Sequence, residues 1–211
     1  MKPFKISLFF LIFTSLSFSN NSINIGGGLN VSSLDGEEES GIKLSPRLGF
    51  NAGLGFEIHV NDIFSILPGA SLETRGENAE MILREKTIEA KVKFMYLQIP
   101  IYVKANISAG AGFFFNIFAG PELGVHLSRT FDIDGDKLDD NLFTDSKTID
   151  FGLSVGLGFE IPAGNVAVFI RPSNYLGFTS SMEDDSSTEE DESEDAKHRN
   201  IKLKVGYKIY L

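Results

Sequence analysis

The segment that decides the fold is the last one, Asn200 to Leu211, which reads N-I-K-L-K-V-G-Y-K-I-Y-L. Every second residue from Ile201 to Leu211 is apolar or aromatic, and the positions between them carry lysines, a glycine and a tyrosine. Because side chains alternate between the two faces of a strand, this segment predicts one apolar and one cationic face. The apolar face fits either the core of a soluble sheet or the lipid side of a membrane barrel. The alternation leaves both possibilities open, so the rest of the chain has to decide between them.

The N-terminus has the features of an export signal. Two lysines precede an uncharged run rich in Phe and Leu, 6–18, and Ser17 and Ser19 place small residues where a signal peptidase reads them. We therefore expect residues 1–19 to be a signal peptide cleaved after Ser19. An uncleaved transmembrane anchor is less favoured, because the run is shorter than the roughly 20 apolar residues that span a bilayer. The chain contains no Cys, which excludes disulfides, a lipoprotein anchor, thiolate metal ligands and a Cys nucleophile.

Alternating segments recur along residues 20–211 at the length of a tilted membrane-spanning strand, roughly 9 to 11 residues. In the clearest case, 46–60, apolar residues alternate with glycines and polar residues without interruption. The apolar phase of the fourth segment slips by one residue after Phe94, which predicts a β-bulge near Met95 and Tyr96. The predicted strands are 22–33, 46–60, 64–75, 88–106, 112–128, 148–162, 166–178 and 200–211.

The connections between these strands alternate between long and short along the chain. The long ones are polar and acidic, at about 34–45, 76–87, 129–147 and 179–198, and they hold much of the acid behind the net charge of −10. Short turns on one rim and long loops on the other are typical of a barrel in the bacterial outer membrane. We therefore predict an all-β fold, an eight-stranded antiparallel up-and-down transmembrane β-barrel. A soluble lipocalin-like barrel is less favoured, because its outer face should be polar.

Seven glycine-rich strings follow one another through the predicted barrel: GGGLNV (26–31), GFNAGLGFEI (49–58), FSILPG (64–69), YLQIPIYVK (96–104), FAGPELG (118–124), FGLSVGLGFE (151–160) and VGYKIYL (205–211). Together they resemble the outer-membrane β-barrel domain family of porin-family and PorT-like small barrels. The resemblance implies contact with outer-membrane lipid and insertion by the barrel assembly machinery. It implies little about activity, because such families share an architecture and differ in their loops. It also leads us to expect an aromatic last residue, where this chain has Leu211 after Tyr210.

Charged side chains on the polar strand faces are predicted to point into the lumen. A narrow interior cannot hold unpaired charges, so we expect a network of salt bridges that fills it. A conducting pore is the alternative interpretation. The residues concerned are Arg47, Glu57, His59, Glu73, Arg75, Lys104, Glu122, Asp150, Glu160, Arg171, Lys202, Lys204 and Lys208.

Two acidic loops offer oxygen ligands for cations. The carboxylates of the first, D-I-D-G-D-K-L-D-D, are weak candidates for a calcium site, because an EF-hand would need Gly and Glu or Asp where Lys137 and Phe143 stand. These candidates are Asp132, Asp134, Asp136, Asp139 and Asp140. The second, 183–195, carries nine carboxylates among Ser and Thr and is predicted to stay hydrated. We expect it to repel nucleic acid and to attract divalent cations or a basic surface partner at most weakly.

The tripeptide His126-Leu127-Ser128 resembles the H-x-S pair of barrel enzymes that deacylate lipid A. In a regular strand the imidazole and the hydroxyl would share one face, about 7 Å apart. Those enzymes present the pair to the lipid side, whereas the predicted register turns it inward. In addition, no acid that could orient the imidazole is identifiable. A polar strand rim is the favoured interpretation.

These observations predict a non-enzymatic outer-membrane barrel with a structural or surface-interaction role through acidic extracellular loops. We predict no catalytic residue, no cofactor and no nucleic-acid partner. A small passive channel is the first alternative, and a lipid A-modifying enzyme is the second.

Overall fold

The computed structural model describes residues 21–35, 42–83, 86–110, 112–133, 136–139, 149–180 and 197–211. Its strands are β1 (Ser22–Asp35), β2 (Ile42–His59), β3 (Phe64–Leu83), β4 (Lys86–Gly110), β5 (Phe113–Ile133), β6 (Asp136–Asp139), β7 (Ile149–Ala163), β8 (Val166–Ser180) and β9 (Lys197–Tyr210). Among these residues there is no helix of the length and apolar character needed to cross a membrane. The predicted signal peptide, 1–19, lies outside the described residues and stays a prediction.

Eight of the strands close into a ring. Each of β1 to β3 pairs antiparallel with the next strand, β9 joins β1 to β8, and β7 joins β8 to β5. The pairing of β4 with β5 closes the barrel. The short strand β6 pairs only with the end of β5 and lies outside the ring. The predicted eight-stranded antiparallel up-and-down barrel is therefore confirmed.

The two rims of the barrel differ as the connection lengths predict. The turns β2–β3, β4–β5 and β7–β8 lie on one rim, where the carbonyl of Asn21 also accepts a hydrogen bond from the amide of Leu211 at 2.9 Å. Asn61 closes the β2–β3 turn, because its Oδ1 accepts hydrogen bonds from the amides of Ile63 and Phe64 at 2.9 and 2.8 Å. We call this rim the short-turn rim and the opposite one the long-loop rim.

The predicted loop at 76–87 is wrong in its extent. Strand β3 continues to Leu83 and β4 begins at Lys86, so most of this segment is a paired hairpin. The other long connections are shortened in the same way, because β2 begins at Ile42 and β5 runs to Ile133. Polar composition indicates contact with water, but it does not say whether the backbone of such a segment pairs with a neighbouring strand.

The barrel has an apolar outside and a polar inside. Along β7 every second residue from Ile149 to Ile161 is exposed, and the residues between them, from Asp150 to Glu160, are buried. The same holds around the ring, where Ile99, Leu157 and Val205 are between 40% and 45% exposed. An outer surface of this kind suits lipid, and it contradicts the lipocalin-like alternative.

The predicted bulge is present at the expected height, but in the neighbouring strand. Met95 pairs with Ser128 and Tyr96 pairs with His126, so Leu127 of β5 is the extra residue. Strand β4 keeps one phase, and both Phe94 and Tyr96 are buried inside the barrel. The apolar residues of β4 change phase in the sequence because aromatic side chains occupy inward positions. The prediction had assumed that all inward positions are polar.

Candidate functional site

The lumen contains two ionic clusters, one towards each rim. The short-rim cluster consists of Glu57, Lys104, Glu160, Arg171 and Lys208. The long-rim cluster consists of Glu73, Arg75, Glu122, Asp150 and Lys202. All ten side chains are buried, which confirms that ten of the thirteen predicted lumen residues lie inside.

In the short-rim cluster two carboxylates share three cations. Lys104 Nζ lies 2.9 Å from Glu57 Oε1 and also pairs with Glu160. Lys208 Nζ bridges the same two carboxylates, at 3.1 Å from Glu57 Oε2 and 3.2 Å from Glu160 Oε2. Arg171 Nη2 lies 2.9 Å from Glu160 Oε1. Every ion of this cluster therefore has a partner on another strand.

In the long-rim cluster three carboxylates share two cations. Arg75 joins Glu73 Oε1 through Nε and Asp150 Oδ2 through Nη1, both at 2.6 Å. Lys202 Nζ lies 2.9 Å from Glu73 Oε2 and 2.8 Å from Glu122 Oε2. Hydroxyl donors compensate for the shortage of cations in this cluster.

Each of these hydroxyl donors comes from a strand that pairs with the strand of its acceptor. Tyr102 and Ser154 both donate to Glu122 Oε1. Tyr175 donates to Asp150 Oδ2 at 2.7 Å, and its ring lies 4.1 Å below the guanidinium of Arg75. Cation–π contact and charge-assisted hydrogen bonds add to the stabilisation of the buried ions. A single salt bridge would not offset the free-energy cost of removing these ions from water.

Large apolar and aromatic side chains fill much of the space between the ions. Sequence reasoning missed this, because it assigned the lumen to polar residues and placed Phe94 on the outer face. The side chains concerned are Leu67, Phe94, Tyr96, Phe118, Phe169 and Tyr175. The inward-facing glycines were a sequence signal for these rings. A Cβ on Gly156 would lie 2.3 Å from the ring of Phe118, and a Cβ on Gly152 would lie 2.5 Å from the ring of Tyr175. Inward glycines therefore mark where rings from other strands enter the lumen.

A small cavity of about 60 Å³ remains between the two clusters. Asn24, Glu73, Arg171, Lys202 and Lys204 contribute polar groups to its wall. At about 10 to 15 Å³ for each water, it has room for only a few molecules. A space of this size is far smaller than a water-filled pore.

The remaining predicted lumen residues differ from these ten. Lys204 points inward and lines the cavity, but it is only partly buried. His59 lies near the short-turn rim, with its Nε2 3.7 Å from Glu57 Oε1 and its side chain 23% exposed. Arg47 is partly buried near the long-loop rim. The lumen prediction is therefore confirmed for the ten buried residues, whereas Lys204, His59 and Arg47 are only partly buried.

The bulge in β5 separates the two groups of the H-x-S pair. His126 is directed inward, with its ring centroid 5.8 Å from that of Phe94 and 5.5 Å from that of Tyr96. Ser128 lies beyond the extra residue, pairs with Met95 and is exposed. The expectation that both groups share one face is wrong, because one inserted residue inverts the alternation.

Three of the five candidate calcium ligands lie in the β5–β6 hairpin. Asp132 lies in β5 and its backbone pairs with Lys137, while Asp136 and Asp139 lie in β6. Asp134 and Asp140 lie outside the described residues, as does the acidic run 183–195. Within the described part of the chain no group of three or more acidic or histidine side chains is arranged to hold a metal. The calcium site therefore stays a prediction.

Comparison with known proteins places this geometry among outer-membrane barrels. Residues 16–183 match the outer membrane protein beta-barrel domain family. The fold is similar to that of Neisserial surface protein A, with a TM-score of 0.56 and 11% identity over 90% of this chain and 97% of that one. It is also similar to OprG from Pseudomonas aeruginosa, with a TM-score of 0.50 and 17% identity over 92% of this chain and 96% of that one. No curated protein matches the sequence.

Proposed function

The chain belongs to the outer membrane protein beta-barrel domain family, and we propose that within this family it is a non-enzymatic surface-interaction protein that acts through acidic extracellular loops. It is located in the bacterial outer membrane, with the apolar outer face in contact with lipid. The family sets the architecture and the location. The role proposed for the loops rests on the distribution of charge.

The observation that carries the proposal is the separation of charge between lumen and loops. Inside, the two ionic clusters together hold five carboxylates and five cations, so they contribute little to the net charge of −10. Nine carboxylates stand in the single stretch 183–195, between the ends of β8 and β9 at the long-loop rim. A dense negative charge on one rim favours basic partners and divalent cations and disfavours nucleic acid.

The alternative of a passive channel is less well supported. The ionic clusters and the aromatic side chains occupy the lumen, and the cavity between them has room for only a few waters. We expect no steady conductance when the purified protein is inserted into planar bilayers. Reproducible single-channel steps would favour the channel.

The alternative of a lipid A-modifying enzyme has also lost its supporting motif, because His126 and Ser128 lie on opposite faces of β5. We expect the lipid A mass spectrum of an expressing strain to equal that of a strain carrying the empty vector. A new deacylated species would contradict the non-enzymatic assignment.

The test of the loop hypothesis compares two variants of the stretch 183–195. In the first, the nine carboxylates become Asn or Gln; in the matched control, the same residues are kept in scrambled order, so that the charge is unchanged. Each protein is placed in neutral phosphatidylcholine vesicles, and binding to polylysine beads and to Ca²⁺ is measured. We expect the parent and the scrambled control to bind with an affinity that falls as salt rises, and the neutralised variant to lose most of the binding.

Equal binding by the neutralised variant would overturn the loop hypothesis. Loss of binding in the scrambled control would show that the order of the residues matters and that charge alone is not sufficient. Location is tested separately, by labelling a tag inserted in 183–195 on intact cells. Labelling only after the cells are permeabilised would place the long-loop rim in the periplasm.

A further inference from the structure

Two cations stand directly opposite each other on the inner wall of the barrel. Arg171 of β8 pairs with Lys204 of β9 in the strand register, and both line the central cavity. The next inward pair along the same two strands is Ser173 and Lys202. Like charges directly opposite each other are destabilising in a sheet unless something compensates them. This block of four donor side chains therefore needs acceptors.

Only part of this need is met by the protein. Lys202 contacts Glu73 and Glu122, and Arg171 uses Nη2 to contact Glu160 and the Oδ1 of Asn24 at 2.9 and 2.8 Å. Arg171 is only 6% exposed, and its buried Nε has no hydrogen-bond partner among the described residues. In the part of the chain that the structure describes, no hydrogen bond or ion pair involves Lys204.

The charged side chains that line the cavity include more cations than carboxylates. Among the described residues of its wall, Glu73 is the carboxylate, and Arg171, Lys202 and Lys204 are the cations. Glu73 has both oxygens occupied, Oε1 by Arg75 and Asn200 and Oε2 by Lys202, and so it has no oxygen left for Lys204. Lys204 is partly buried and has no partner in this confined space, so a counter-ion from outside the chain would stabilise the fold.

We propose that the central cavity binds one small monovalent inorganic anion, of the class of chloride, between Lys204 Nζ and Arg171 Nε. The volume of about 60 Å³ admits a halide with a few waters and excludes sugar acids, phosphate esters and nucleotides. Leu67, Phe118 and Phe169 form apolar parts of the wall, which suits a weakly hydrated ion such as a halide. The anion offsets the positive charge of the cavity wall and accepts the hydrogen bonds that Arg171 and Lys204 cannot donate to the protein.

Urea unfolding of the refolded protein in uncharged detergent micelles tests this site. Sodium chloride is compared with sodium gluconate at equal ionic strength, because gluconate is too large for the cavity. We expect chloride to raise the unfolding midpoint of the parent and gluconate to leave it unchanged. At a chloride concentration 100 times the dissociation constant, the ratio of folded to unfolded protein should rise about 100-fold.

Two lysine variants show where the ion acts. Lys204→Met should abolish the response to chloride, because one of the two donors to the anion is lost. Lys93→Met is the matched control and should respond as the parent does, because Lys93 Nζ lies 5.9 Å from the ring of Phe50 on the outer face. Equal midpoints of the parent in chloride and gluconate, or a Lys204→Met variant that still responds to chloride, would overturn the proposal.

A second measurement needs no variant and covers the case in which Lys204→Met does not fold. Crystals of the parent grown in sodium bromide should show an anomalous scattering peak within hydrogen-bond distance of Lys204 Nζ and Arg171 Nε. Added chloride should reduce the height of this peak by competition. Absence of the peak would overturn the proposal.

Discussion

The outer and inner faces of β7 differ in what stabilises them, although they share one backbone. Phe159 on the outer face is 53% exposed, whereas its neighbour Glu160 on the inner face is 2% exposed. Outer residues are stabilised by lipid, which accepts any apolar shape, so they need no particular partner. Inner residues are stabilised by specific partners on other strands. Substitutions on the outer face should therefore change stability mainly through their polarity. Substitutions on the inner face should change stability through their shape and their effect on the charge balance.

The largest effect should come from removing a shared inner carboxylate. Glu160→Gln deprives Lys104, Arg171 and Lys208 of a common partner and leaves buried positive charge uncompensated. We expect it to lower the free energy of unfolding by about 3 to 5 kcal/mol, measured by urea unfolding in lipid vesicles. Asp62→Asn, which removes the same charge in an exposed turn, is the control and should be nearly neutral. Similar losses in both variants would mean that net charge matters and pairing does not.

Arginine on the outer face should have the next largest effect. Ile99→Arg, Leu157→Arg and Val205→Arg each place a charge against hydrocarbon and should cost about 2 to 4 kcal/mol near the middle of the membrane. Refolding midpoints in vesicles measure this cost. The parent chain should also fail to fold when neither lipid nor detergent is present.

The control for the arginine variants has to be chosen by space as well as by face. Lys204→Arg keeps the charge, lies next to Val205 and points into the cavity, so it should cost much less. Arginine at Ser154 or Gln98 is unsuitable, because these inner side chains are 0% and 1% exposed and leave no room for it. Equal costs for Lys204→Arg and Val205→Arg would show that the two faces have been assigned wrongly.

A smaller effect should follow from adding one methyl group to the inner face. In Gly156→Ala the new Cβ would lie 2.3 Å from Cζ of Phe118, so the ring has to move. We expect a loss of about 1 to 3 kcal/mol from overpacking. A double-mutant cycle with Phe118→Leu checks the cause, because the smaller side chain should recover part of the loss. Strict additivity of the two substitutions would contradict direct contact between these positions.

The smallest effect should come from a lysine on the outer face. Lys93→Met removes only a contact with the ring of Phe50, which is worth about 0.5 kcal/mol at an exposed site. The same substitution at Lys208 removes contacts to two buried carboxylates and should cost several times more. Unfolding free energies of both variants in vesicles measure the difference. Equal losses of unfolding free energy in Lys93→Met and Lys208→Met would contradict the proposed difference between the outer and inner faces.

The sequence by itself determined the number of strands in the ring, the two rims and, apart from Phe94, the membrane-facing set. These follow from local rules, because alternation with a period of two assigns each residue to a face, and connection length assigns each strand end to a rim. Even the height of the bulge was visible near Met95. The sequence also identified the ten charged residues of the two ionic clusters, since a charged residue on the face opposite the lipid points into the lumen.

Only the tertiary structure decided how the inner face is arranged. Arg75 and Asp150 are 75 residues apart, and their contact depends on the registers of all the strands between them. The bulge lies at Leu127 and not in β4 because strand pairing, and not the residues of either strand alone, sets the register. Phe118 and Tyr175 fit inside because Gly156 and Gly152 on a neighbouring strand leave room for their rings. Faces are local properties of a strand, whereas partners across a closed barrel depend on the whole ring.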